Sequence, residues 1–279
     1  MPSSSPRARR AECRRRVRAA CEALNLPLDA CVVALACSER AHERWEREDA
    51  DARARGEDAT ERAMDVVAAS CVFLACKLEE AVIGMGDVAR ACARSGGGAA
   101  DAAAAVARRK GGGGGARAME ERMRGERLAG YVEDEREAMS GWLYYEYKEL
   151  VLELERDVLR AMNYELNVEK PHALALHLVR TIEGGKELVR STLAALVDAL
   201  FEIEGAMTGA VDLPTLTAAA VRYASKELKC EHELRRSKDG REWWDALGFD
   251  AAAMNDAEAL LRRSVEERRD YIAKTVSTR

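Results

Sequence analysis

The stretch VVAASCVFLACKLEE, residues 66–80, decides how the chain is read. From Val66 to Cys76 only Ser70 interrupts the apolar character, so a helix here is hydrophobic on every face and lies inside a larger structure. Its small residues let neighbouring helices approach a central rod closely. The interior then meets charge at Lys77, Glu79 and Glu80.

Outward from that helix the composition is of one kind. Apolar residues make up 48% of the 279, only 5% are aromatic, and Ala, Leu, Glu and Arg abound, a balance that favours helices over strands. The fold class expected is all-α, and the length fits two domains with cores that need no disulfides. The eight cysteines include no CxxC pair and mostly fall in apolar helical pattern, where a thiol packs as a small hydrophobe. His42, His172, His177 and His232 are scattered without an i, i+4 metal pair, so neither metal nor cofactor is expected. No apolar run reaches the roughly 20 residues that cross a bilayer, and MPSSSPRARR lacks the apolar segment of a secretory signal. An intracellular protein without a membrane partner is expected. A net charge of -5 gives the whole chain no preference for nucleic acid.

Helical pattern first runs from about residue 10 to 24, with residues 1–9 expected as a tail. A second helix spans roughly 28–44, opened by Pro27 and Asp29, and the third is the quoted stretch, about 63–80. A short piece follows at 87–93. Residues 95–135, with SGGGAADAAAAVARRKGGGGG, are low-complexity and expected as a linker-like insertion. A fifth helix, about 142–164, completes a first domain over 10–168. A second domain, 169–270, starts at Pro171 with helices near 172–182, 186–204, 214–229 and after 255, and 271–279 is expected as a C-terminal tail. AASCVFLA (68–75) lies over AAAVRYAS (218–225) as a faint internal repeat, each half being a bundle about a buried middle helix.

Two charges do not fit their helix faces. Glu155 shares a face with Val151, Val158, Leu159 and Met162, and a carboxylate buried alone there costs several kcal/mol unless a base reaches it. Lys77 is the base expected; the bland alternative is that it only complements the end of its own helix. Glu39 continues the stripe of Val32, Leu35 and Ala36 and also needs a base, from Arg10 or from the neighbouring Arg14, Arg15 or Arg16.

These residues resemble a known family. VAASCVFLACKLEE resembles the third helix of a cyclin box, and LVLELERDVLRAMNYELNVEKPH is similar to the fifth helix and inter-box linker of cyclin T and cyclin K, with cyclin L next nearest. SKDGREWWDALGF looks like a late segment of the second box in the same group. The resemblance implies two tandem cyclin-box five-helix bundles and a regulatory subunit, not an enzyme. The partner implied is a transcription-class cyclin-dependent kinase, bound as a heterodimer and acting on the RNA polymerase II C-terminal domain. Carried over by position, the kinase-binding residues are Phe73, Leu74, Lys77, Leu78, Glu80, Glu155, Leu159 and Leu166, with Lys77 and Glu155 paired and the four leucines forming an apolar pocket. Arg10 and Glu39 fall where the family holds an internal ion pair. Nuclear location follows from the resemblance; direct nucleic-acid binding and a small-molecule substrate do not.

The sequence also departs from the family. SERAHERW ends the second helix where transcription cyclins carry His-Arg-Phe-Tyr, and RAECRRR lacks the apolar substrate-docking motif of cell-cycle cyclins. The rivals are a cyclin-fold DNA-binding factor of the IIB type, disfavoured by the acids of KELVRSTLAALVDALFEIE and EWWDALGFDAAAMNDAE, and a helical scaffold without a kinase. No phosphate loop, and no nucleophile with a base and an orienting acid, points to catalysis.

Overall fold

A computed structural model describes residues 5–56, 62–95, 102–106, 141–231, 234 and 240–277. Among the described residues every regular element is a helix. The chain forms two compact units, Met1–Val168 and Glu169–Arg279.

In the first unit α1 (Pro6–Ala23) starts within the expected tail: the Ser5 hydroxyl accepts the Ala8 N–H at 3.3 Å and Pro6 occupies the first turn, where its missing N–H costs nothing. A turn containing Asn25, at φ 50, leads to α2 (Leu28–Ala54). This helix runs ten residues beyond the expected end. Its last turns carry charges four apart, Glu43 with Arg47 and Arg44 with Glu48 at 2.8 Å, which support a solvated helix that has no apolar stripe to announce it.

Helix α3 (Met64–Leu78) is the central rod and packs against α1, α2, α4 (Met85–Ser95) and α5 (Gly141–Ala161). Val67, Ala68, Ala69, Cys71, Val72 and Ala75 have no exposed surface, as a helix apolar on every face requires. The SERAHERW segment packs in its own way. His42 is buried, its Nδ1 lies 2.7 Å from the Ser38 carbonyl oxygen, and its ring meets Trp45 edge-on. Arg62 stacks 4.4 Å above the Trp45 ring and reaches Asp49 at 3.7 Å, tying α2 to the approach to α3.

One part of the expected insertion is corrected. Residues 102–106 form a helical turn with Ala102, Ala105 and Val106 buried, because alanine both favours helix and fits against a close-packed surface. The glycine runs lie outside the described residues, as do His232 and the Ser237–Asp239 portion of SKDG.

The second unit repeats the plan with α6 (Pro171–Thr181), α7 (Lys186–Glu202), a 3-10 turn (Ala206–Thr208), α8 (Leu213–Glu227), the short α9 (Trp243–Ala246) and α10 (Ala251–Ser277). Helix α8 packs against α6, α7 and α10. Ile182, Leu188, Ala218, Val221 and Met254 are among its buried core, with Trp243 closing one side. Gly184 makes the α6–α7 turn possible, since a β-carbon there would stand 2.7 Å from both Leu188 and Val179 side chains. The C-terminal tail expected from residue 271 is also corrected, for α10 continues to Ser277 on a run rich in Glu and Arg.

Candidate functional site

The end of α3 meets the later half of α5, and two contacts fix the junction. Ser70, the one polar residue of the apolar run, places its hydroxyl 2.8 Å from the Val66 carbonyl oxygen and 3.0 Å from that of Val151 on α5. Seven residues on, Lys77 Nζ donates to Glu155 Oε1 at 2.7 Å and Oε2 at 2.8 Å. The contacts advance together along both helices, so the buried serine sets the register in which lysine and glutamate meet.

The pair is unequal in exposure. The Glu155 side chain is 10% exposed and that of Lys77 46%. Glu155 belongs to the contact face with Val151, Val158 and Met162, all buried, and its ammonium partner offsets the desolvation of the carboxylate. Lys77 is held from the other side by Phe73, whose ring centroid lies 4.3 Å from Nζ. An ammonium has three donors and a carboxylate about four acceptor sites, so the bidentate contact leaves both groups with hydrogen-bonding capacity at the solvent edge.

The other expected residues grade outward from this point. Leu74 is buried, Leu78, Leu159 and Phe73 are half-buried, and Leu166 and Glu80 are exposed. Glu80 takes φ 54 just after α3, and Asn163 and Tyr164 take φ 52 and 58 just after α5, so both helices end in left-handed turns. The turn after α5 is anchored by Arg40, whose Nη1 donates to the Glu165 carbonyl at 3.4 Å. Two exposed apolar side chains in these turns were not foreseen, Val82 at 100% and Tyr164 at 65% exposure. Their sequence signal is weak, since one apolar residue in a loop has no periodicity.

Glu39 is buried and meets Arg14 Nη1 at 3.6 Å, while Arg10 Nε reaches Glu46 at 3.3 Å. Arg14, one of the alternatives open in the sequence, thus stands beside Glu39, and Arg10 also faces α2; α1 and α2 are joined by at least two ion pairs.

A second charge cluster, absent from the sequence expectations, lies in the other unit. Glu258 of α10 accepts from Arg222 Nε at 2.6 Å and from Lys226 Nζ at 2.8 Å through both oxygens, and Arg262 stands 3.5 Å away. Arg222 also donates to Asn255 at 2.8 Å and lies 5.4 Å over the Trp244 ring. Burial raises the Glu258 carboxyl, but the bonds from Lys226 and Arg222 and their charges outweigh it and hold the group below the usual carboxylate range. Its signal was an arginine inside the small-residue helix AAAVRYAS.

No protein-family model matches the chain, and no curated protein matches it. Its fold is similar to that of a chain in the crystal structure of the yeast RNA Pol II CTD kinase CTDK-1 complex, with 14% sequence identity and a TM-score of 0.56. The match covers 93% of this chain and 66% of that one, so the present chain spans about two thirds of the length of its structural neighbour. The shared architecture is the all-helical, tandem cyclin-box one.

Proposed function

We propose that this chain is a regulatory cyclin subunit that binds and activates a transcription-class cyclin-dependent kinase acting on the RNA polymerase II C-terminal domain. It does no chemistry itself. The observation that carries the proposal is the Lys77–Glu155 junction, a charged pair at the rim of an apolar surface graded from Leu74 to Leu166. Likeness in fold to a chain of a CTD kinase complex supports the choice of partner class.

Activation follows from differential binding. A kinase needs its C-helix glutamate turned inward to pair with the catalytic lysine and orient ATP. A rigid surface shifts that equilibrium only by binding the inward state more tightly. Lys77 and Glu155 are suited to bond kinase backbone carbonyl and amide groups beside that helix, and Phe73, Leu78, Leu159 and Leu166 to cover an apolar kinase side chain, with Glu80 at the rim. A nuclear location follows from the proposed substrate.

Capture of the kinase from extract identifies the partner, and titration of that purified kinase tests the surface. Lys77→Ala and Glu155→Ala each are expected to weaken activation by about tenfold or more, with helical content by circular dichroism nearly unchanged. Leu159→Asp is expected to abolish activation, because it puts a charge in the apolar pocket. Unchanged affinity in all three variants removes the site assignment.

A further inference from the structure

Glu155 and Glu258 are equally shielded, their side chains 10% and 9% exposed, yet they are served differently. One ammonium holds Glu155 through both oxygens, which shows what a carboxylate at that depth requires. Glu258 receives the same bidentate contact from Lys226 and has two guanidinium groups besides, Arg222 at 2.6 Å and Arg262 at 3.5 Å. Three positive charges therefore gather on one negative charge. The excess is not absorbed elsewhere: among the described residues none of the three bases has a second acid within ion-pair distance. Like charges held this close repel, and Glu258 by itself calls for only one of them.

The spare donors belong to exposed groups. The side chains of Lys226 and Arg262 are 40% and 50% exposed, and both heads stand on the same oxygen, Glu258 Oε1, at 2.8 and 3.5 Å. They are thus close enough for one small anion to touch both. Arg262 makes a single contact with Glu258 and has five N–H donors. Asn255 is exposed and gives its Oδ1 to Arg222 Nη2, so its amide nitrogen keeps two donors. Asn255, Glu258 and Arg262 are three and four apart on α10, and Arg222 and Lys226 four apart on α8, so each helix carries its members on one face.

We propose that this face of the second unit binds a phosphorylated serine or threonine of a peptide segment, the phosphate bridging Lys226 and Arg262 with Asn255 donating beside them. Charge sets the ligand class. Glu258 cancels one of the three positive charges, and a phosphate monoester, close to a dianion at neutral pH, cancels the other two, which a carboxylate does not. Arg262, lying 5.4 Å over the Tyr223 ring, offers a planar fork that suits two phosphate oxygens. Exposed Glu227, Asp256 and Glu266 surround these bases in sequence and confine the positive field. A nucleic-acid strand, charged at every nucleotide, would set its next phosphates against those acids. Exposed Leu228, two residues past Lys226, and half-buried Trp244, beneath Arg222, supply apolar surface for the residues on either side of a phosphoserine.

The test uses the full chain and a short fluorescent peptide with one central phosphoserine among leucines and alanines, followed by anisotropy against the same peptide with serine. The phosphopeptide is expected to bind at least about tenfold more tightly, and its affinity to rise from about pH 5 to about pH 7 as the phosphate loses its second proton. Arg262→Gln and Lys226→Gln, which leave Glu258 its bond from Arg222, are each expected to weaken binding about fivefold or more with thermal unfolding nearly unchanged. Arg263→Gln removes an exposed charge from the next position of α10 and is expected to change affinity less than about twofold. The proposal is overturned if the phosphopeptide does not bind or binds no better than its serine form, or if Arg262→Gln keeps full affinity. It is equally overturned if Arg263→Gln costs as much as Arg262→Gln, or if a duplex oligonucleotide or a vesicle carrying phosphoinositide binds more tightly than the phosphopeptide.

Discussion

Lys77–Glu155 and Lys226–Glu258 repeat one geometry in the two units: an ammonium near the end of a small-residue helix, bound through both oxygens to a glutamate of the unit's last helix. Four residues before the lysine the two diverge, with Phe73 in one unit and Arg222 in the other. Phe73 gives Lys77 a ring to rest on and brings no further charge, so Glu155 is served by one half-exposed base. Arg222 brings a second, buried base to Glu258, and Arg262 adds a third. One glutamate is saturated from within and acts as a latch; the other keeps polar capacity at its edge, where a partner can use it.

The largest expected difference is in stability. Glu258→Ala strands the buried Arg222 and is expected to cost about 3–5 kcal/mol in denaturant unfolding of the second unit. Glu155→Ala, whose orphaned lysine can turn to water, is expected to cost about 1–2 kcal/mol. Equal costs break the comparison.

Acid separates the units next. Burial holds His42 down at about 4, with the Arg10, Arg9 and Arg62 charges adding to it against its bond to Ser38. Between the ordinary histidine value and about 4 the unfolded chain binds the proton and the folded chain does not, so the first unit loses stability as pH falls through that window. The loss is about 3 kcal/mol in all, and His42→Phe is expected to flatten it. Glu258 runs at lower pH: its depressed carboxyl stabilises the second unit above the ordinary carboxylate range, and that contribution goes as pH falls through its folded value. Unfolding followed separately in each unit from pH 7 to 3 is expected to show the first unit weakening earlier.

A milder variant is Arg222→Met, which leaves Glu258 with Lys226 and loses the Asn255 bond; a cost of about 1–3 kcal/mol is expected, below that of Glu258→Ala. The smallest stability change is expected from Phe73→Arg, which copies the second unit into the first by offering Glu155 a second base. Stability shifts by about 1 kcal/mol or less, while kinase activation, the sensitive readout, falls sharply. Retained activation in that variant separates the docking role from Phe73.

Helix identity was legible where burial leaves a periodic or all-round apolar pattern, as in α3, α5 and α8. It was not legible at the end of α2 or in α10 beyond residue 270, where solvated charge pairs carry the helix, nor at 102–106, where alanines sit amid glycine runs. Of the junction, Glu155 betrayed itself as a carboxylate on an apolar face, which called for a base and led to Lys77. Arg222 gave the same kind of signal inside AAAVRYAS, and Glu258, in an already charged helix, gave none.

The chain's residues alone determined an all-helical protein with small-residue rods at two central positions, because close approach and apolarity are written into side-chain size and chemistry. Tertiary packing alone decided which bases stand beside each buried acid, Arg14 among them at Glu39 and Arg222 with Lys226 at Glu258. Helical periodicity tells a residue which face it occupies, whereas its partner depends on the rotation and offset of a second helix, and those are fixed only when the cores close.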